Sequence, residues 1–286
     1  MWLLFALASA VLFAVRRVYE KELTTRFGNF SLSFVLLGSA SLFVLVLFFF
    51  LPIPEDVLHL PWQFWWPLLI IWFVLYPLGN YFLYQSLREG EVSQVTPVST
   101  LLPVFNIATS FFIIHEFPNF FGLTGVVLTV LATFILLTDT PERGKQRFNR
   151  PVLLMLGNVL CSALGSTLDK IAIEASTPAF YAFANMFGAS IVFLLLAYAY
   201  DESHELPRVK ERWGTFALLG VALAFAFVAF STAFALGPTS YVLAVRSGGL
   251  LIAALWGLFV LRESLSRKKF SALLLFVAGT IALAIS

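Results

Sequence analysis

The sequence predicts an all-helical integral membrane protein, ten transmembrane helices arranged as two inverted five-helix repeats. Three observations carry this reading. The chain is 60% hydrophobic and 12% charged over 286 residues, whereas a soluble domain is about 45–50% apolar and about 25% charged. Its apolar residues fall into ten runs near the length that spans a bilayer. Its Lys and Arg residues fall almost entirely between alternate pairs of those runs.

A spanning helix needs about 20 mostly apolar residues. The runs cover residues 2–21, 31–51, 62–86, 92–114, 118–138, 151–172, 178–200, 213–235, 239–260 and 269–285. Helix is the expected form, because backbone in lipid must bond within its own segment. The runs do not alternate as barrel strands do. The first run resembles a signal-peptide core, but Arg16 and Arg17 follow it and no basic residue precedes it. A signal peptide has the opposite polarity, so this run reads as the first helix. Pro52 and Pro54 close the second run, and Gly90 separates the third from the fourth. Pro118 opens the fifth, and Gly237-Pro238 separates the eighth from the ninth. Trp2, Trp62, Trp65, Trp66 and Trp213 stand at run ends, where an amphipathic ring prefers the interface. The polar linkers 139–150 and 201–212 are too short for a soluble domain.

A shift of 147 residues aligns Gly90, Ser93, Val95, Val98, Glu116, Thr133 and Leu136 with Gly237, Ser240, Val242, Val245, Glu263, Thr280 and Leu283. A shift of 149 aligns Leu4, Ala14 and Lys21 with Leu153, Ala163 and Lys170. The repeats are therefore residues 1–140 and 150–286. Five spans per repeat force opposite insertion of the two halves, a pattern of secondary transporters. Of the 18 Lys and Arg residues, 16 lie on the side holding the loops after spans one, three, five, seven and nine. Lys170 and Arg246 are the other two. Positive loops stay in the cytoplasm, which places both termini outside.

The two hairpins Gly90–Glu116 and Gly237–Glu263, with the five-plus-five spans and the early Lys21 and Lys170, resemble the drug/metabolite transporter superfamily in its EamA-like branch. The resemblance covers essentially the whole chain. It implies export of amino acids, drugs or other small metabolites through a central cavity lined by the first, third, fourth and corresponding second-half helices. Many members are described with cytoplasmic termini, and the Lys/Arg distribution here departs from that.

Arg246 is the sharpest candidate substrate-binding residue. It lies about four residues, or about 6 Å, from the middle of span nine. A central Arg costs at least about 2.5–3.5 kcal/mol, so it must face a cavity or a partner. Ser247, Gly248 and Gly249 leave room beside it. It suits an anionic group; the competing reading pairs it with Asp169. Tyr76, Asn80 and Tyr84 recur at four-residue spacing, as a cavity wall or as interhelical glue. Thr96, Ser99, Thr100 and Asn106 give span four a polar face, and Pro97 and Pro103 interrupt its backbone bonding. Lys170, beside Asp169 at the end of span six, reads as the rim of an anion-attracting vestibule or as a local ion pair. Asn158 and Asn185 are weaker candidates.

Motifs for nucleotide hydrolysis, dinucleotide binding or zinc proteolysis are missing from the sequence. His59, His115, His204 and Cys161 stand apart and suggest no metal site. No cofactor is expected, and no nucleic-acid partner. The expected partners are a small-molecule substrate and membrane lipid, with the chain a monomer in the plasma membrane. No Asp or Glu stands near the middle of a span, so facilitated diffusion or exchange is expected rather than proton coupling. The alternative class is an integral-membrane enzyme or lipid-handling protein, which would need a convergent acid, base or metal cluster.

The charge distribution generates a test. With Cys161 replaced, a Ser286→Cys variant should react with an impermeant thiol reagent in intact cells. Protection until lysis would reverse the orientation.

Overall fold

The computed structural model describes residues 1–23, 27–57, 59–90, 95–137, 149–249 and 267–286. Every regular element among them is helical. In chain order these are α1 (Trp2–Leu23), α2 (Asn29–Leu47), α3 (Trp62–Ile70), α4 (Tyr76–Glu89), α5 (Leu102–Ile114), α6 (Phe120–Leu137), α7 (Arg150–Glu174), α8 (Pro178–Ala199), α9 (Trp213–Leu236), α10 (Thr239–Ser247) and α11 (Arg267–Ala284). Six helical stretches among the described residues are long and apolar enough to cross a membrane. Shorter apolar helices cover Trp2–Ala14, Phe120–Ile135 and Phe270–Ala284. The ninth sequence span is described only as far as Gly249. Trp256 and Glu263 lie outside the described residues, as do the side chains of Arg16, Arg17, Lys21 and Thr96.

The surface is that of a protein in an apolar solvent. Phe49, Phe112, Phe120, Trp213 and Leu218 point outward, while Asn106, Thr133, Asn185 and Ser231 have no exposed surface. Water would impose the reverse preference.

Local chemistry starts and stops the helices. Asn149 caps α7 by accepting from Val152 N at 3.4 Å, and Thr177 caps α8 by accepting from Phe180 N at 3.3 Å. Pro151 and Pro178 occupy the first turns, where no N–H is missed. The third span is not one continuous α-helix. Residues Ile71–Leu75 form a π-turn between α3 and α4, directly before Pro77, which has no N–H to give the preceding turn. The fourth span opens as a 3₁₀ helix, Thr96–Leu101, before α5. The linker predicted at 201–212 is largely a 3₁₀ helix, Ser203–Arg212.

The pairings of helices are reciprocal. α6 packs on α11 and α2 on α8. α1 packs on α9, and α7 on α3 and α4. α1 also meets α10, as α7 meets α5. Close approach depends on small residues. A Cβ on Gly79 would touch Cys161 across the α4–α7 crossing, and Asn158 Nδ2 donates to the Gly79 carbonyl there at 2.9 Å.

Carboxylates lock both ends of the bundle. His115 adopts a left-handed conformation, φ 56°, and ends α5. Glu116, next in the chain, accepts from Thr239 N at 3.2 Å and Thr239 Oγ1 at 3.3 Å, at the N-terminus of α10. Lys170 Nζ lies 3.4 Å from Glu116 and 3.3 Å from Glu174. It donates to the carbonyls of Phe234 at 2.6 Å and Gly237 at 3.1 Å, at the end of α9. The Trp2 and Tyr241 rings meet at this same end. At the other end, Asp201 is left-handed, φ 59°, and Glu202 accepts from Phe30 N at 2.7 Å and Ser31 N at 3.1 Å in the first turn of α2. Each carboxylate thus answers orphan N–H groups and the positive end of a helix dipole.

Lys170 is therefore not the rim of an open vestibule. It is buried and spends its donors on α9 and two carboxylates. Breaking such a buried group by removing one partner costs about 3–5 kcal/mol. Lys170→Met should lower the thermal midpoint of the purified protein by more than Glu116→Gln, whose amide oxygen still accepts from Thr239.

Candidate functional site

The π-turn sets the site's first side chains. Trp72 lies within it and Tyr76 follows it. Both reach α8: Trp72 Nε1 donates to Asn185 Oδ1 at 3.1 Å, and Tyr76 OH donates to the same oxygen at 3.3 Å. Asn185 Nδ2 donates to Tyr181 OH at 2.7 Å, one turn earlier on α8. The Tyr181 hydroxyl in turn donates to Asp169 Oδ1 on α7. A continuous chain therefore runs from Asp169 through Tyr181 and Asn185 to Trp72 and Tyr76. It links α7, α8 and α4 across the bundle. Tyr181 and Asn185 have no exposed surface, whereas Tyr76 and Asp169 keep some although protein surrounds them deeply.

Trp72 owes its position to Gly188, where a Cβ would collide with the indole ring. Tyr76 also stacks on Phe193, with centroids 6.1 Å apart.

Arg246 enters from α10. Its Cζ stands 4.2 Å from the centroid of Phe13 on α1 and 4.5 Å from that of Phe230 on α9. The guanidinium lies between two ring faces, a cation–π arrangement worth about 2 kcal/mol or more when desolvated. It also acts electrostatically on Asp169 and Tyr76. Positive charge, carboxylate, phenols and rings therefore converge from α1, α4, α7, α8, α9 and α10. Such a place can hold a small molecule carrying a charged group against a flat or apolar portion.

The structure brings Arg246 and Tyr76 together, as the sequence suggested, and sends other candidates elsewhere. Asn106 is fully buried and donates to the Ala163 carbonyl and Thr167 Oγ1, each at 3.2 Å. With Thr109, Ser110 and Thr239 it forms a separate polar seam joining α5, α7 and α10. Asn80 Nδ2 donates to the Tyr76 carbonyl in its own helix at 2.8 Å. Tyr84 meets the Phe30 ring edge-on. Ser99 sits in the 3₁₀ turn, partly exposed. Asn158 holds the α4–α7 crossing. Lys170 belongs to the lock at the bundle end.

Asp169 is the main correction: the sequence puts it near a helix end, and the fold draws it into the central network. Trp72 and Tyr181 were missed. The signal available for Tyr181 was its spacing of four from Asn185 on an otherwise apolar helix. Trp72 gave none, because Pro77 signals a break in the helix but not the π-turn that aims the indole. Among the described residues, no group of three His, Cys, Asp or Glu is placed to hold a metal ion.

Comparison with known proteins gives two positive results. The EamA-like transporter family matches residues 1–138 and again 149–285. A solved structure described only as "Crystal structure of protein" superposes with a TM-score of 0.74 at 15% identity, covering 99% of this chain and 96% of the other. That likeness concerns the fold. No curated protein matches the sequence.

Removing the Asn185 amide leaves Trp72 and Tyr76 without their acceptor and takes one donor from Tyr181, which keeps Asp169. Each buried polar group left unsatisfied costs about 1–3 kcal/mol. Asn185→Leu should therefore depress the thermal midpoint well below that of Asn80→Ala, whose amide bonds only its own helix. Equal midpoints would show that the network contributes nothing.

Proposed function

The chain belongs to the EamA-like transporter family, and from that membership we propose that it is a secondary transporter for a small polar metabolite or drug with an anionic group. One observation carries the substrate class: the Arg246 guanidinium, held between Phe13 and Phe230, acts electrostatically on Tyr76 and Asp169 of the interior network. A desolvated guanidinium recognises a carboxylate or phosphate by paired hydrogen bonds. The rings on either side accept the apolar remainder of the ligand.

Alternating access between two inverted five-helix repeats, residues 1–140 and 150–286, is the proposed mechanism. The double family match supports the repeat. So do the reciprocal pairings, in which α1 stands to α9 and α10 as α7 stands to α3, α4 and α5. Tyr76 and Phe13 come from the first repeat, and Arg246, Phe230 and Asp169 from the second. Substrate binding at their meeting place is sensitive to any rocking of one repeat against the other. The site's remaining sequence candidates, Asn80, Tyr84 and Ser99, lie on helices that would line the path.

The test is counterflow in proteoliposomes across a panel of labelled carboxylates, phosphates and zwitterions. The wild-type chain should exchange at least one of them. Arg246→Ala should reduce that exchange at least tenfold, about 1.4 kcal/mol or more of lost binding, and still elute as a folded protein. Arg246→Lys should recover part of the rate if charge alone matters, and none if paired geometry matters. Normal exchange by Arg246→Ala would remove Arg246 from the site.

A further inference from the structure

Asp169 is a carboxylate in the bundle interior with too few partners for its charge. It lies five residues before the end of α7, about 7.5 Å along the axis. The α9 terminus, Glu116 and α10 close over that end. Among the described residues its side chain accepts one hydrogen bond, from Tyr181. An ionised carboxylate has about four acceptor positions. The neighbours that could answer its charge can be named element by element. From α8 come the Tyr181 hydroxyl and, behind it, Asn185. From α4 comes the phenol of Tyr76, and from α10 the guanidinium of Arg246, acting at longer range. On its own helix, Lys170 is turned away to α9 and Glu116. Asp169 nevertheless keeps accessible surface, unlike Tyr181 and Asn185. Its spare acceptor positions have no protein donor among the described residues.

A charge so placed is costly inside a membrane, and gaining a proton removes the cost. The proton also changes Arg246. With Asp169 ionised, its negative charge competes with any anion for the guanidinium. With Asp169 protonated, that competitor is neutral and Arg246 attracts an anionic ligand more strongly.

We propose that Asp169 is a proton-binding site and that one proton travels with each anionic substrate, in the same direction. The proposal rests on the transporter reading above. The balance is simple. On one side an O–H bond forms between a bulk proton and a carboxylate oxygen of Asp169, and the anion binds at Arg246. On the other side the anion leaves, the O–H bond breaks to bulk water, and Asp169 is again ionised. One positive and one negative charge cross together, and no electrons move. This replaces the sequence expectation of an uncoupled facilitator.

Two measurements test it. The first needs no substrate: infrared difference spectra of the purified full-length protein labelled with ¹³C-aspartate, recorded while pH is varied. A protonated-carboxyl band should rise as pH falls, vanish in Asp169→Asn, and return with altered titration in Asp169→Glu. A wild-type protein without such a band at any pH overturns the proton site. The second uses the compound that sustains counterflow. An inward proton gradient should drive its accumulation, with apparent KM rising about tenfold per pH unit on the alkaline side. In Asp169→Asn the accumulation and the pH dependence of KM should both disappear. Wild-type accumulation that ignores the gradient overturns the coupling and leaves the transporter reading intact. If no compound sustains counterflow, the transporter reading fails and the coupling built on it falls with it, while the infrared band still decides the proton site.

Discussion

The rest of the structure depends on one buried ammonium. Lys170 reaches two carbonyls at the end of α9 and two carboxylates, so four oxygens replace the water it has lost. Through Glu116 the same contact holds the first turn of α10. The end of one helix and the start of the next are thereby fixed to α7 and to the α5–α6 corner. Arg246 stands seven residues along α10 from that fixed point, so the lock sets where its guanidinium can reach. At the other end the arrangement is exchanged: Glu202, from the second half, caps α2 of the first. Each half supplies a carboxylate to a helix of the other. In both cases a residue in the left-handed region immediately before the carboxylate turns it away from its own helix.

The site follows from a second constraint, that polar groups in an apolar bundle must satisfy one another. Asn185 is the junction. Its oxygen receives Trp72 and Tyr76, and its nitrogen supplies Tyr181. The rings around Arg246 do comparable work for its charge. Phe13 and Phe230 attract the guanidinium through their faces.

Much of this was legible in the sequence. Apolar run length gave the helices, because a backbone in lipid has few alternatives. Gly90 and Gly237, with Glu116 and Glu263, gave the repeat, because span ends carry the same chemistry in both halves. Arg246 and Tyr76 were legible as polar groups too costly to leave in lipid. Trp72 and Tyr181 were not, and Asp169 was legible only as a possible partner of Arg246. A residue near a helix end reads as interfacial until the neighbouring helices are seen to cover that end. Asn106 and Asn158 looked like cavity residues because an amide that binds ligand and one that binds a helix carbonyl have the same sequence signature. For Lys170 the ion-pair alternative was legible, but its carbonyl partners Phe234 and Gly237, more than sixty residues away, were not.

The π-turn at Ile71–Leu75 breaks the likeness between the halves. Its counterpart by pairing, α9, runs as unbroken α-helix from Trp213 to Leu236. On the proposed alternating-access mechanism, gates built from unequal helices have unequal stiffness, so the two half-cycles of such a carrier need not share a barrier height. Such a carrier rectifies. It cannot alter the gradient at which net flow stops, since that is thermodynamic, but it can turn over faster from one face than from the other. On that mechanism, one extra backbone residue in a single helical turn would be enough to give the carrier a preferred direction.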